Sequence, residues 1–135
     1  IKRCANLILL GEEKATVAAR ELESCLRESL DNLRLSGVIT YLDCHCDGQV
    51  AVEWIVTVYD LFEKVTEALQ SRLSAMMVTA SYTDGVLRLR IQAGCKEAVN
   101  EPLNLTLEGG TVTCEAQEED LIIDATLEEG GVREC

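Results

Sequence analysis

Several residue groups in this sequence have the chemistry to do more than pack. Cys44-His45-Cys46-Asp47 brings together thiols and an imidazole, the usual ligands of zinc. On a strand, however, the two sulfurs share one face and the imidazole takes the other, and no second Cys-x-x-Cys or His pair completes a ligand set. A pair of core thiols beside a surface histidine accounts for the same residues. Glu63 and Glu67 lie one helical turn apart with Lys64 adjacent, a spacing that suits paired acids for proton transfer and equally suits solvated charges on a helix face. Arg88 and Arg90 alternate along a segment and can form an anion-binding stripe, although arginines on the wet face of a hairpin need no ligand.

The remaining thiols belong to no recognisable framework. Seven cysteines, at positions 4, 25, 44, 46, 95, 114 and 135, are odd in number and scattered, which reads as reduced thiols in a cytosolic setting. Spacing alone assigns none of them a redox role, since thiol reactivity depends on exposure and neighbouring charge.

The elements that must position these groups follow from hydrophobic periodicity. Residues 12–35 carry Val17, Ala18, Leu22, Cys25, Leu26, Ser29, Leu30 and Leu33 at three- and four-residue intervals, which predicts a leading helix with Glu12 and Glu13 at its start and Ser36-Gly37 as its stop. Residues 38–46 are rich in β-branched and aromatic types and read as a strand closed by Asp47-Gly48. From Gln49 to about Arg72, Ala51, Trp54, Ile55, Val58, Leu61, Phe62, Val65 and Leu69 predict a second, central helix. Residues 75–82 and 86–92 form a hairpin around Thr83-Asp84-Gly85, and 94–102 a short irregular connection. Alternation at Leu103, Leu105 and Leu107, then at Val112, Cys114 and Ala116, then from Leu121 to Leu127, predicts an antiparallel meander. This order is that of an α/β (α+β) two-layer sandwich, with helices on one face of a mixed, mainly antiparallel sheet. No repeat or linker divides residues 1–135, so a single domain is expected, with residues 129–135 a fraying tail.

Composition narrows the function classes. Twelve basic against 24 acidic residues leave a net charge of -12, which opposes binding to nucleic acid or to anionic membrane surfaces. No apolar run reaches the roughly 18–20 residues needed to cross a bilayer. A start at Ile1 points to a fragment or a processed chain.

Three segments carry a family likeness. They are the apolar helix Val58-Tyr59-Asp60-Leu61-Phe62-Glu63-Lys64-Val65-Thr66-Glu67-Ala68-Leu69, the Gly-Gly segment Leu107-Glu108-Gly109-Gly110-Thr111-Val112-Thr113, and the closing strand Asp120–Leu127. With the order of elements over roughly residues 12–128, they resemble the ATP-binding catalytic domain of bacterial sensor histidine kinases, of the superfamily shared with gyrase-type and mismatch-repair ATPases. The resemblance sets residues 58–69 on the family's N-box helix, with Glu63 on its acidic residue and Lys64 on the asparagine that ligates Mg²⁺. It implies ATP and Mg²⁺ as cofactors, with Glu63, Lys64, Glu67 and Gly94 at nucleotide-site positions. It also implies an upstream dimerisation or sensor segment, a response regulator as partner, and a cytoplasmic domain, possible as part of a membrane-anchored sensor.

The sequence departs from that pattern where the chemistry lies. An ammonium repels the cation that an asparagine oxygen would bind, so Lys64 cannot serve as a metal ligand. The place of the adenine-reading aspartate reads Ile91-Gln92-Ala93-Gly94-Cys95, and no aspartate occurs between Asp84 and Asp120. About eight residues separate Gly94 from Leu103, too few for a Gly-rich lid over phosphates. The only histidine, His45, falls on a predicted strand, so a phosphoacceptor must lie upstream. The expectation is a sensor histidine kinase domain with degenerate nucleotide motifs, the alternative being a non-catalytic pseudo-kinase interaction or dimerisation module, with the leucine stripe of residues 12–35 as a homodimer surface. An open, polar cleft between helix 49–72 and loop 92–102 favours the first, and a filled one the second.

Overall fold

Residues 16–98 and 103–128 are described by the structure, a computed structural model. Strand β1 (Thr16–Ala18) leads into helix α1 (Glu21–Leu35), then β2 (Ile39–Cys46), β3 (Gln49–Ala51) and helix α2 (Val52–Leu69). Strands β4 (Leu73–Thr83), β5 (Val86–Cys95), β6 (Gly110–Gln117) and β7 (Asp120–Glu128) follow. Five of the strands form one sheet in the order β2-β4-β5-β7-β6, parallel only between β2 and β4, while β1 and β3 pair antiparallel as a separate two-stranded sheet. The two-layer arrangement expected from the alternation of periods is the one observed.

Alternation along the strands builds the core. Met76, Val78 and Ala80 of β4, Leu87, Leu89, Ile91 and Ala93 of β5, and Leu121, Ile123, Ala125 and Leu127 of β7 are all buried. They form one cluster with Leu22, Leu26 and Leu30 of α1 and with Ile55, Val58, Phe62, Val65 and Leu69 of α2. No buried polar or charged residue interrupts that cluster among the described residues. The opposite face of the sheet carries Arg88, Arg90, Thr79 and Asp124, and near its β2 edge the exposed Ile39, Tyr41 and Met77.

Helix boundaries differ from the periodic reading, for reasons of pairing. The described part of the leading helix begins at Glu21, not residue 12: Val17 and Ala18, which fit a helical stripe, are instead paired with Val50 and Gln49. The expected start at Glu12 and Glu13 lies outside the described residues. The same pairing draws Gln49–Ala51 out of the second helix, which starts at Val52, and Ala19 N–H reaches Gly48 C=O at 2.8 Å. The expected stop of α1 holds, with Gly37 N–H donating to Arg34 C=O at 3.0 Å and Val38 N–H to Leu33 C=O at 3.2 Å. The leucine stripe offered as a dimer surface is consumed inside the chain, since Leu22, Leu26 and Leu30 are fully buried and only Leu33 and Leu35 of that helix face remain accessible.

Two further differences concern the sheet. Strands β4 and β5 extend beyond 75–82 and 86–92 because their pairing continues to Leu73↔Cys95, past an irregularity between Leu73 and Ala75. Asp84 and Gly85 both have positive φ, as the expected tight hairpin requires. The Leu103, Leu105 and Leu107 alternation is not a strand: these residues run irregularly against the core, with Leu107 buried, and no strand of the sheet pairs with them. The tail 129–135 lies outside the described residues.

Gly109 and Gly110 show why that segment needs two glycines. A Cβ on Gly110 would run into Thr126 C=O and lie 2.6 Å from Leu127 Cδ2, whereas Gly109 has φ +79° and a Cβ there would meet only Leu127 Cδ2, at an ordinary 3.9 Å. Gly110→Ala is therefore expected to destabilise the protein by about 1–3 kcal/mol through overpacking, and Gly109→Ala by about 1 kcal/mol through backbone strain alone. Urea denaturation of the two variants, read by the shift in midpoint at constant slope, checks the order.

Candidate functional site

Helix α2 turns one face to the core and leaves the other to solvent, and a cleft opens along the second. It has a volume of about 280 Å³ and lies between Val56, Thr57, Asp60, Leu61 and Lys64 on α2 and Thr106, Leu107 and Glu108 on the irregular segment. Residues 56, 57, 60, 61 and 64 recur on one helical face, and buried Leu107 anchors the opposite wall. This cleft lies on the Thr106–Glu108 side of α2, and the cleft expected against loop 92–102 involves residues 99–102, which fall outside the described residues.

Polar groups dominate the lining. Lys64 Nζ sits 3.3 Å from Asp60 Oδ2, an exposed pair one turn apart worth roughly 0.3–0.5 kcal/mol. Glu108 adds a second carboxylate, and Thr57 and Thr106 add hydroxyls. Two carboxylates against one ammonium leave the cleft acidic. The donor set at Lys64 does not fit Mg²⁺, because an ammonium has no lone pair to give a cation. Among the described residues no group of three or more His, Cys, Asp or Glu is placed to hold a metal ion.

The four residues expected at nucleotide-site positions do not converge. Lys64 lines the cleft. Glu63 turns toward α1, where its Oε2 accepts a hydrogen bond from the Tyr59 hydroxyl at 3.2 Å, and that hydroxyl is also hydrogen-bonded to Ser29 Oγ. Glu67 is exposed beyond the cleft. Gly94 lies on β5 opposite Ala75 and Asp120, and a Cβ there would meet Ala75 Cβ at 3.5 Å and Asp120 Oδ1 at 3.6 Å. By strand alternation that is the sheet face turned away from α2. Asp120 is a carboxylate distant in sequence from residues 91–95: pairing of β5 with β7 brings it beside Gly94, where Gln92 Nε2 donates to it at 3.2 Å.

The other candidate groups have ordinary partners. His45 Nε2 lies 3.0 Å from Asp43 Oδ1 on the exposed face of β2, away from the sulfurs of Cys44 and Cys46. Arg90 Nη1 faces Asp124 Oδ1 at 3.5 Å across the β5–β7 pair.

Solved structures share this arrangement of elements. The histidine kinase domain of the blue-light activated histidine kinase of Erythrobacter litoralis EL346 superposes with a TM-score of 0.65 at 13% identity, covering 98% of this chain and 76% of that one. The nucleotide-free catalytic domain of histidine kinase ThkA gives 0.62 at 10% identity, over 84% of this chain and 95% of that one. ThkA in complex with the response regulator protein TrrA gives 0.61 at 12% identity, over 84% and 41%. No protein-family model and no curated protein matches the sequence. The chain has the fold of histidine kinase catalytic domains, reached with a sequence that shares little with them.

Tyr59 ties the two helices together beside the site. Burial, with the Glu63 carboxylate adding to it and the Ser29 hydrogen bond opposing it, pushes the Tyr59 phenol up from 10.0 to about 12. Its pKa is raised on folding, so the associated stability is whole below pH 10 and is lost as pH rises toward 12. The urea midpoint is expected to fall across that window, and Tyr59→Phe to remove this part of the fall while costing about 1 kcal/mol at neutral pH.

Proposed function

We propose that this chain is the catalytic-type domain of a sensor histidine kinase in a two-component signalling system, divergent at its nucleotide site. One observation carries the reading: the histidine kinase fold extends over nearly the whole chain, and its open, polar cleft lies on the helix that resembles the family's N-box. ATP with Mg²⁺ supplies the phosphoryl group in such domains, and catalysis there rests on positioning and charge stabilisation. The residues of this chain provide less of both. Lys64 shares its ammonium with Asp60, and Asp60 and Glu108 repel an anion. Nucleotide therefore binds weakly and gains nothing from Mg²⁺.

The partners that go with this reading are an upstream dimerisation or sensor segment carrying the acceptor histidine, a response regulator, and a second copy joined through that upstream segment. ThkA, crystallised with TrrA, is the precedent for the regulator. The domain would act in the cytoplasm. Among the described residues no helix is long and apolar enough to cross a membrane.

Calorimetric titration of the purified chain with ATP, with and without Mg²⁺, tests the proposal. A dissociation constant of about 0.1–1 mM, unchanged by Mg²⁺, is expected. Micromolar, Mg²⁺-dependent binding would overturn the divergence of the site, and no heat at several millimolar ATP would overturn the nucleotide reading in favour of a pure interaction module. Lys64→Asn restores an oxygen ligand and frees Asp60. It is expected to make binding Mg²⁺-dependent and tighter by about tenfold, roughly 1.4 kcal/mol.

A further inference from the structure

The Cys44 and Cys46 side chains meet on one face of β2, with their Sγ atoms 3.3 Å apart. Several features set this pair apart from the other described cysteines. It lies on an edge strand that pairs only with β4 and is backed by α1, and Cys46 is the last residue of that strand, followed by Asp47-Gly48. Cys44 is half-buried, and Cys46 also lines a separate pocket of about 230 Å³ with Arg20, Asp47 and Gln49. A small reagent thus has a place to sit beside the pair, and the guanidinium of Arg20 suits one that carries carboxylates.

We propose that Cys44 and Cys46 form a vicinal dithiol site that closes into an intrachain disulfide by exchange with a small-molecule disulfide of the glutathione type. The thiols have unequal roles. Cys44 attacks because it is the more exposed sulfur, half-buried where Cys46 is buried, and its hydrogen bond with Cys46 lowers its pKa against burial and the charge of Glu23. Cys46 resolves: the same bond and its own burial push its pKa up, and it stays protonated until Cys44 has reacted.

Both steps are thiol–disulfide exchanges. The Cys44 thiolate bonds to one sulfur of oxidised glutathione as the S–S bond breaks, and the departing glutathione thiolate takes a proton. Cys46, no longer donating to a thiolate, gives its proton to solvent and attacks Cys44 Sγ, and the second glutathione leaves as a thiolate and is protonated. Two protein thiols lose two electrons and one small disulfide becomes two thiols. The sulfurs must close by about 1.3 Å to reach disulfide length, and since residues two apart on a strand are roughly 6.6 Å apart at Cα, near the upper limit for a disulfide, the end of β2 at Cys46 must bend as the bond forms.

Tryptic cleavage after Arg34 and Lys64 isolates residues 35–64, which contain these two cysteines and no others. The full chain is incubated with oxidised glutathione, quenched in acid, alkylated and digested. The expected 35–64 peptide is two hydrogens lighter, unalkylated, and restored to two alkyl groups by prior dithiothreitol. Closure should exceed that of the urea-unfolded chain by at least about tenfold, because the fold holds the sulfurs together. Cys46→Ser should trap glutathione on Cys44, and Cys44→Ser should leave Cys46 largely unmodified. A wild-type peptide that keeps glutathione or both alkyl groups, or equal closure in urea, would overturn the site, and the opposite trapping pattern would overturn the assigned roles.

Discussion

Everything in this fold depends on the burial of α2 against the sheet. Eight of its side chains are buried, from Val52 to Leu69, and Phe62 at their centre is fully enclosed. At about 1.5–3 kcal/mol for each large apolar side chain removed from water, that interface outweighs every polar contact on the helix, including the Asp60–Lys64 pair. It fixes the rotation of α2 about its own axis. Once Ile55, Val58, Phe62, Val65 and Leu69 face the strands, Thr57, Asp60 and Lys64 must face outward, and the cleft is the consequence.

The same constraint explains why the candidate residues separate. Neighbours in sequence on a helix point about 100° apart, and in this fold that difference sends Glu63 and Lys64 to different surroundings. Glu63 is turned toward α1, where Tyr59 and Ser29 use it to join the two helices, and Lys64 is turned into the cleft. Gly94 belongs to the far face of the sheet by strand alternation. The carboxylate beside it, Asp120, comes from a strand 26 positions later in the chain, and only the β5–β7 pairing unites them.

The edges of the fold are where local pattern and tertiary pairing compete. Residues 16–18 and 49–51 are apolar enough to extend either helix, and they pair with each other instead, because each supplies the backbone partner the other lacks. Leu103, Leu105 and Leu107 alternate like a strand, yet no strand of the sheet pairs with them, and they cover the core from an irregular backbone. Leu22, Leu26 and Leu30 of α1 reach the core of their own chain, while Leu35 at its end is exposed.

Periodicity by itself determined the two helices, the Asp84-Gly85 hairpin, the last two strands and the two-layer class, since each rests on contacts between near neighbours in sequence. Helix α2 was legible for the same reason: its apolar positions and its charged positions are interleaved at helical spacing. Which strand lies beside which, the parallel pairing of β2 with β4, and the β1–β3 pair were decided only by the folded chain, because backbone hydrogen bonds carry no sequence label. The cleft opposite Thr106–Glu108 and the meeting of Cys44 with Cys46 also belong to the tertiary structure. Strand alternation places the two sulfurs on one face, but their distance and the pocket beside them depend on how β2 ends and what packs against it.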